Sequence, residues 1–355
     1  MPDIEKTEKN MKQLGFGIIG SGNIAGVHAQ AVQAAENAKL AAVFDPNAES
    51  AGRFAEKFNC RAYSDMAAFL ADPEVAAVTV ATPSGAHLES VEAAAMAGKH
   101  ILCEKPLEIN LERVDRMLEV CKQNNVLLSS IFQNRLSQPV KLLRAAQQSG
   151  RFGQMIMAGF QMHWYRDSKY YDDSPWRGTW KLDGGGALIN QASHNLDLLL
   201  YINGDVSEVH AYAGTMTHNI EVEDTLCAAL KFANGSFGTI EVSTSCNPGF
   251  PRRIEFTGTK GKVTIEEDSI TRWDFVEALP EDEEVRARIC GRVESFNGSS
   301  PNNLAITGHT EQVTALADAV LNGTPLAMDG REGRRAVELI CAIYESVRTG
   351  KPCKL

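Results

Sequence analysis

No stretch of the 355-residue chain is apolar for long enough to cross a bilayer as a helix, so a membrane-spanning protein is not expected. The first thirteen residues lack the apolar core of a signal peptide, and they are expected to be a disordered lead-in. A basic excess is missing as well. The 35 Lys and Arg are outnumbered by 45 Asp and Glu, a formal net charge of −10. Phosphate backbones are bound by basic surfaces, so no nucleic-acid partner is expected. Attraction for an anionic small molecule would have to be local. The eight cysteines (Cys60, Cys103, Cys121, Cys227, Cys246, Cys290, Cys341 and Cys353) include no CxxC pair. Their scatter suits neither a zinc site nor a disulfide framework. They read as buried or incidental thiols of a reducing cytoplasm, and no metal ion is expected. Internal repeats are also absent. What is present is 44% hydrophobic residues, enough for two cores, in a chain whose length favours two domains.

The first half alternates short apolar runs with helical stretches. Strand-like runs fall at 16–20, 39–44, 75–81, 100–103 and 126–132, and helical composition at 24–35, 49–58, 87–97 and 111–124. Strands separated by helices imply right-handed crossovers and a parallel sheet covered on both faces. The first turn reads Gly20-Ser21-Gly22-Asn23-Ile24-Ala25, a GxGxxA pattern between a strand and a helix. Gly20 permits a tight turn, Gly22 lets the backbone approach a pyrophosphate, and Ala25 allows close helix–strand packing. The helix behind it points its N–H groups at the phosphates. Asp45 ends the second apolar run, where a carboxylate accepts hydrogen bonds from ribose hydroxyls and repels a 2′-phosphate. NAD is therefore expected over NADP.

After Arg135 the pattern changes. A helix is expected at 139–148, a strand at 155–163, an aromatic and charged loop at 164–181, and a helix at 187–201 behind Gly184-Gly185-Gly186. Asn234-Gly235 between strand-like runs 225–232 and 236–243 predicts a hairpin, because both turn residues tolerate positive φ. A second hairpin is expected around 259–261, an acidic solvated loop at 281–284, and a terminal helix at 331–348. The fold class is thus α/β. A doubly wound parallel sheet at 14–135 precedes an α+β domain at 136–355 with an open, mostly antiparallel sheet, one face of which is expected to join copies into a homodimer or homotetramer.

Three segments carry candidate chemistry. Glu104-Lys105-Pro106 follows the strand at 100–103 and so lies at the carboxyl rim where parallel sheets bind ligands. A lysine there holds a substrate hydroxyl and steadies alkoxide charge. Asn190 and His194, four apart, are expected on one helix face, with Asp197 placed to orient the imidazole. A histidine accepts the alcohol proton as hydride leaves the same carbon. The loop holding Arg166, Tyr170, Tyr171, Trp176 and Arg177 suits sugars, carboxylates or phosphates, and equally a subunit contact.

These residues together resemble the Gfo/Idh/MocA oxidoreductases. Gly20 to Ala25, Ala81-Thr82-Pro83 with His87, Glu104-Lys105-Pro106, Arg135 and Gly184 to Asp197 occur in that family's order. The resemblance implies a Rossmann domain, an oligomer-forming second domain, and NAD(P)-linked redox chemistry at a secondary hydroxyl of a sugar, sugar nucleotide or cyclitol. It implies that Lys105 touches substrate and nicotinamide ribose, and that His194 is the catalytic histidine. Gly20, Gly22, Asn23, Ile24, Asp45, Thr82, Pro83, His87 and Glu104 would line the cofactor. Arg135, Arg166, Trp176, Arg177, Asn190 and His194 would line the substrate. Many members carry aspartate where this chain has Asn190, which can align a hydroxyl but cannot take its proton. Two other readings stand beside the dehydrogenase: a tightly held NAD recycled within one reaction on a sugar, and a dinucleotide-binding module without catalysis.

Overall fold

The computed structural model describes residues 12–288 and 306–355. Residues 1–11 of the expected lead-in, and Cys290, lie outside the described residues. The first sheet has six parallel strands, β1 (Leu14–Ile19), β2 (Ala38–Phe44), β3 (Arg61–Tyr63), β4 (Ala77–Val80), β5 (His100–Cys103) and β6 (Leu128–Ser130), in the order β3-β2-β1-β4-β5-β6. Every residue of β1 and β4 is buried, as a sheet covered on both faces requires. The strand order reverses between β1 and β4, which opens a crevice at their carboxyl ends. The intervening helices Asn23–Ala34, Ala48–Phe58, His87–Met96 and Leu111–Gln123 match the expected stretches to within a residue or two. The short β3 was not anticipated: Arg61 and Ala62 are exposed, so no apolar run marks it.

The second sheet has eight strands, β7 (Met155–His163), β8 (Val206–Gly214), β9 (Thr225–Phe232), β10 (Phe237–Ser243), β11 (Arg253–Gly258), β12 (Gly261–Glu266), β13 (Ser269–Phe275) and β14 (Cys353–Lys354). Their order is β13-β12-β11-β7-β10-β9-β8-β14, antiparallel except where β7 lies parallel to β10. The Asn234-Gly235 hairpin forms as expected, with Gly235 at φ +88°. Alternate residues point inward, so that Phe160, Met162, Leu230, Ile240 and Phe256 pack with Leu196 and Leu199 of the helix Ser193–Asn203.

Two segments depart from the sequence reading. The acidic segment, expected to be a solvated loop, is the helix Glu281–Ala287. Asp282 holds it: the buried carboxylate accepts two bonds from the Arg151 guanidinium at 2.7 Å and one from Trp273 Nε1 at 2.7 Å. The helix Thr307–Asn322 belongs by sequence to the second domain but packs on the first sheet. Its Val313, Leu316 and Ala317 join Leu14, Phe16, Val32 and Leu102 in one core. Asn37 clasps it by donating to Thr314 O at 3.0 Å and Asp318 Oδ1 at 2.9 Å. The division at 135/136 is therefore crossed by the chain. The final helix Gly330–Thr349 also serves both cores, through Val337 on one side and Leu339, Ile340 and Ile343 on the other.

Candidate active site

The glycine turn sits at the crevice. Gly20 has φ +101°, and its N–H donates to Phe44 O at 2.8 Å. A Cβ there would lie 2.8 Å from Ala81 O, so this position needs glycine for its backbone and its neighbours alike. Gly22 differs: nothing lies within 4 Å of a Cβ built on it. Its missing side chain serves no packing purpose and leaves the helix start open to a ligand. The helix Asn23–Ala34 has no side-chain cap and no acidic residue in its first turn, so its first N–H groups are available to an anion. Asp45 Oδ2 accepts from Ser21 Oγ at 2.6 Å and from Ser21 N at 3.1 Å, which fixes the carboxylate beside the turn. Asn23 is exposed and Ile24 half-buried beside it. These residues fit a nicotinamide dinucleotide.

Across the switch point, Thr82 and Pro83 lead into the helix His87–Met96. His87 was expected to line the cofactor. Instead it is buried and joins two loops, with Nε2 3.0 Å from Thr82 O and Nδ1 3.0 Å from Pro106 O. It ties the segment after β4 to the segment after β5. Glu104 is likewise turned inward: Oε1 meets His28 Nε2 at 2.8 Å and Oε2 accepts the Lys105 N–H at 3.0 Å. Neither side chain offers a free group to the crevice.

Lys105 crosses the gap between the sheets. Its Nζ donates to Asn190 O at 2.9 Å. Burial lowers its proton affinity, which the charges of Glu104 and Asp183 partly restore. Asn190 does not share a regular helix with His194. It lies in a π-turn, Ala187–Gln191, and His194 opens the following helix. The glycine triplet was expected to admit a ligand. It admits protein instead: a Cβ would meet Ile109 at 2.4 Å from Gly184, Tyr344 Oη at 2.1 Å from Gly185 and Glu223 O at 1.8 Å from Gly186. The Glu223 carboxylate then ties the π-turn by accepting from Gly186 N and Leu188 N, each at 2.9 Å.

His194 is half-buried, with Nε2 3.3 Å from Gln133 Nε2 and Nδ1 sealed from solvent. Burial and the nearby Lys105 push its pKa well below the usual imidazole value, so the ring is neutral. Asp197 does not orient it. That carboxylate makes a bidentate pair with Arg135, at 2.8 Å and 2.5 Å. Arg135, expected to bind substrate, is consumed by this pair and by Glu332 at 2.8 Å, and it stacks on Tyr201. Its guanidinium is buried among these partners.

Asp183 was missed by the sequence reading, although it directly precedes the glycine triplet. It is buried, accepts from Asn190 Nδ2 and from Gly178 N at 2.9 Å, and burial pushes its pKa up to about 6. Lys105 and Arg177 stand near enough to offset part of that rise. Gln191 links the group outward, donating to Tyr170 Oη at 2.8 Å and accepting from Arg166 Nη2 at 2.8 Å. The guanidiniums of Arg166 and Arg177 lie 5.3 Å and 4.2 Å from the Tyr170 ring, and Trp176 stands 5.6 Å from Arg177. The loop thus places two cations and aromatic faces beside Asn190.

Hydride transfer to a nicotinamide needs a dinucleotide crevice on one side and proton-handling groups on the other. The chain sets Lys105, at the rim of the first sheet, against Asn190 of the second domain, and it is an oxidoreductase of the NAD-binding Rossmann class. The description "Oxidoreductase family, NAD-binding Rossmann fold" matches residues 14–132, and "GFO/IDH/MocA C-terminal domain" matches residues 140–264. The chain belongs to the Gfo/Idh/MocA family. It is 33% identical, with a TM-score of 0.88, to the WlbA dehydrogenase from Bordetella pertussis solved in complex with NADH and UDP-GlcNAcA, covering 97% of this chain and 98% of that one. It is 29% identical to a myo-inositol 2-dehydrogenase of Thermotoga maritima over 96% of this chain and 98% of the relative. A levoglucosan dehydrogenase of Pseudarthrobacter phenanthrenivorans is 28% identical over 72% of this chain and 74% of the relative.

Proposed function

We propose that the protein oxidises a secondary hydroxyl of a nucleotide-linked sugar acid with NAD. The observation that carries the reading is the bond from Lys105 Nζ to Asn190 O, which sets the lysine of the first sheet beside the π-turn and His194 of the second domain. NAD, when bound, supplies the hydride acceptor. Gly20, Gly22, Asn23 and Ile24 hold its phosphates, Asp45 its adenosine ribose, and Thr82, Pro83 and Lys105 its nicotinamide end. Lys105 donates to the reacting oxygen, neutral His194 takes the proton, and Asn190, pinned by Asp183, aligns the hydroxyl. Arg166, Arg177 and Trp176 receive the anionic part of the substrate. The likeness to the NADH and UDP-GlcNAcA complex supports this substrate class, as does an amide at position 190.

A panel containing UDP-linked sugar acids, myo-inositol and levoglucosan, assayed with NAD by absorbance of the reduced cofactor, tests it. Reduction with the sugar-acid nucleotides is expected. Reduction with myo-inositol alone would reassign the substrate, and silence from the whole panel with NAD copurifying would point to a closed redox cycle. Asp45→Ala should raise the KM for NAD by about 10-fold, as loss of a charge-assisted hydrogen bond does. KM for NADP should change less, and an equal change in both would remove the basis for the NAD preference.

The outward face of the second sheet shows Met157 at 50% exposure, paired in register with Phe237 at 60%, and Tyr212 at 67%. We infer that a second copy of the chain covers it. Met157→Arg with Phe237→Arg should split the assembly in sedimentation, and a monomeric wild-type protein would sink the idea.

A further inference from the structure

Behind Lys105 two histidines meet one carboxylate, and the proposed chemistry leaves them without a task. His28 comes from the helix Asn23–Ala34, Glu104 follows β5, and His309 comes from the returning helix Thr307–Asn322. All three side chains are buried. His28 Nε2 lies 2.8 Å and His309 Nε2 3.7 Å from Glu104 Oε1, and the two rings meet edge to face at 5.4 Å. Three such groups also suit a metal ion, since one ligand atom from each lies within 4.8 Å of the others. Ligands of a tetrahedral zinc with bonds of about 2.1 Å stand about 3.4 Å apart. The 2.8 Å between His28 and Glu104 is a direct hydrogen bond, so the geometry favours an ion-paired cluster.

Burial alone would push Glu104 towards its neutral form, but the hydrogen bond with His28 and the nearby His309 imidazole outweigh it and hold the carboxyl well below its usual range. The cluster therefore favours the charged carboxylate. The charges of Glu104 and Asp183 act on Lys105, and those of Lys105, Glu104, Arg252 and His309 act on His194. Among these, Glu104 is the carboxylate that acts on both proton-handling groups.

We propose that Glu104, hydrogen-bonded to His28 and flanked by His309, is a positioning residue that anchors the Lys105 backbone and places a carboxylate charge behind the site of Lys105 and His194. The proposal rests on the reading that these two groups handle the reacting proton. It also gives the returning helix a part in the active site, because His309 completes the cluster.

The Lys105 amine reports this without any substrate. Trace acetylation of the whole protein across a pH series, with the Lys105 peptide read by mass spectrometry, yields its titration midpoint. Glu104→Gln should lower the midpoint by about one pH unit, the size of a nearby charge acting in a partly buried site. His28→Gln should move it the same way, because Glu104 without its partner takes up a proton. Glu104→Asp, which keeps the charge, should restore it towards wild type. An unmoved midpoint in folded Glu104→Gln and His28→Gln proteins overturns the proposal. So does one equivalent of metal in the wild-type protein that is lost in His309→Gln. If only the dehydrogenase reading fails, no carbohydrate reduces NAD and yet the midpoint still shifts.

Discussion

Replacing Lys105 by Met should lower turnover by about 10²–10⁴-fold while NAD binding, followed by calorimetry, survives. The methionine keeps the length of the stem and removes the donor whose Nζ now reaches Asn190 O at 2.9 Å. His194→Asn should act on the same oxygen, so the double variant should be little worse than either alone. The pH profile separates the roles. Burial holds His194 well below its usual range, so it stays unprotonated in mild acid. Asp183, pushed up to about 6 by burial, titrates first. Oxidation should be full above that pH and fall as the pH drops through about 6, when Asp183 takes a proton and loses the charge that strengthens its hold on Asn190. Asp183→Asn should abolish this limb, and a limb that persists unchanged would assign it elsewhere. If Lys105→Met retained full activity, the lysine would have no part in the chemistry.

Asp197→Ala should cost about 3 kcal/mol or more of stability, visible as a fall of several degrees in the thermal midpoint. The reason is the group left behind. Arg135 is buried, always charged and held by Asp197 and Glu332, and the first of these gives it two hydrogen bonds. With Asp197 gone a guanidinium remains in the core with one carboxylate at 2.8 Å. Tyr201 and Phe132 flank it but offer only ring faces. Adding Arg135→Leu should recover part of the loss, since removing both charges is less harmful than stranding one. No destabilisation in the single variant would show that the pair is open to water.

The same pair shows where sequence reading stops. Asp197 stands three residues beyond His194, and that spacing suggests contact along a helix. Arg135, 62 residues earlier, outbids it through a bidentate bond that only the tertiary fold creates. The dinucleotide turn was legible because each of its requirements is local: strand, glycines, helix and acid lie within 32 residues, Leu14 to Asp45. The glycine triplet was legible as special but not as to why, since Ile109, Tyr344 and Glu223 come from distant parts of the chain. Asp183 carried a faint signal, an acid touching the triplet, and its burial was invisible. The helix Thr307–Asn322 has an apolar face in Val313, Leu316 and Ala317, and a face says that it is covered without saying by what. β8 and β13 went unread because a register shift in each spaces the buried residues three apart, Val206 to Val209 and Ile270 to Trp273, and breaks the alternation.

That returning helix means that the two halves of the molecule are not separable parts. A fragment cut after Arg135 would lose the cover over Leu14, Phe16 and Leu102, and with it the partner that clasps Asn37. The second half, in turn, would carry a helix whose apolar side has no surface of its own to lie against. The protein should therefore melt in one cooperative step rather than two, and circular permutation should be better tolerated than dissection.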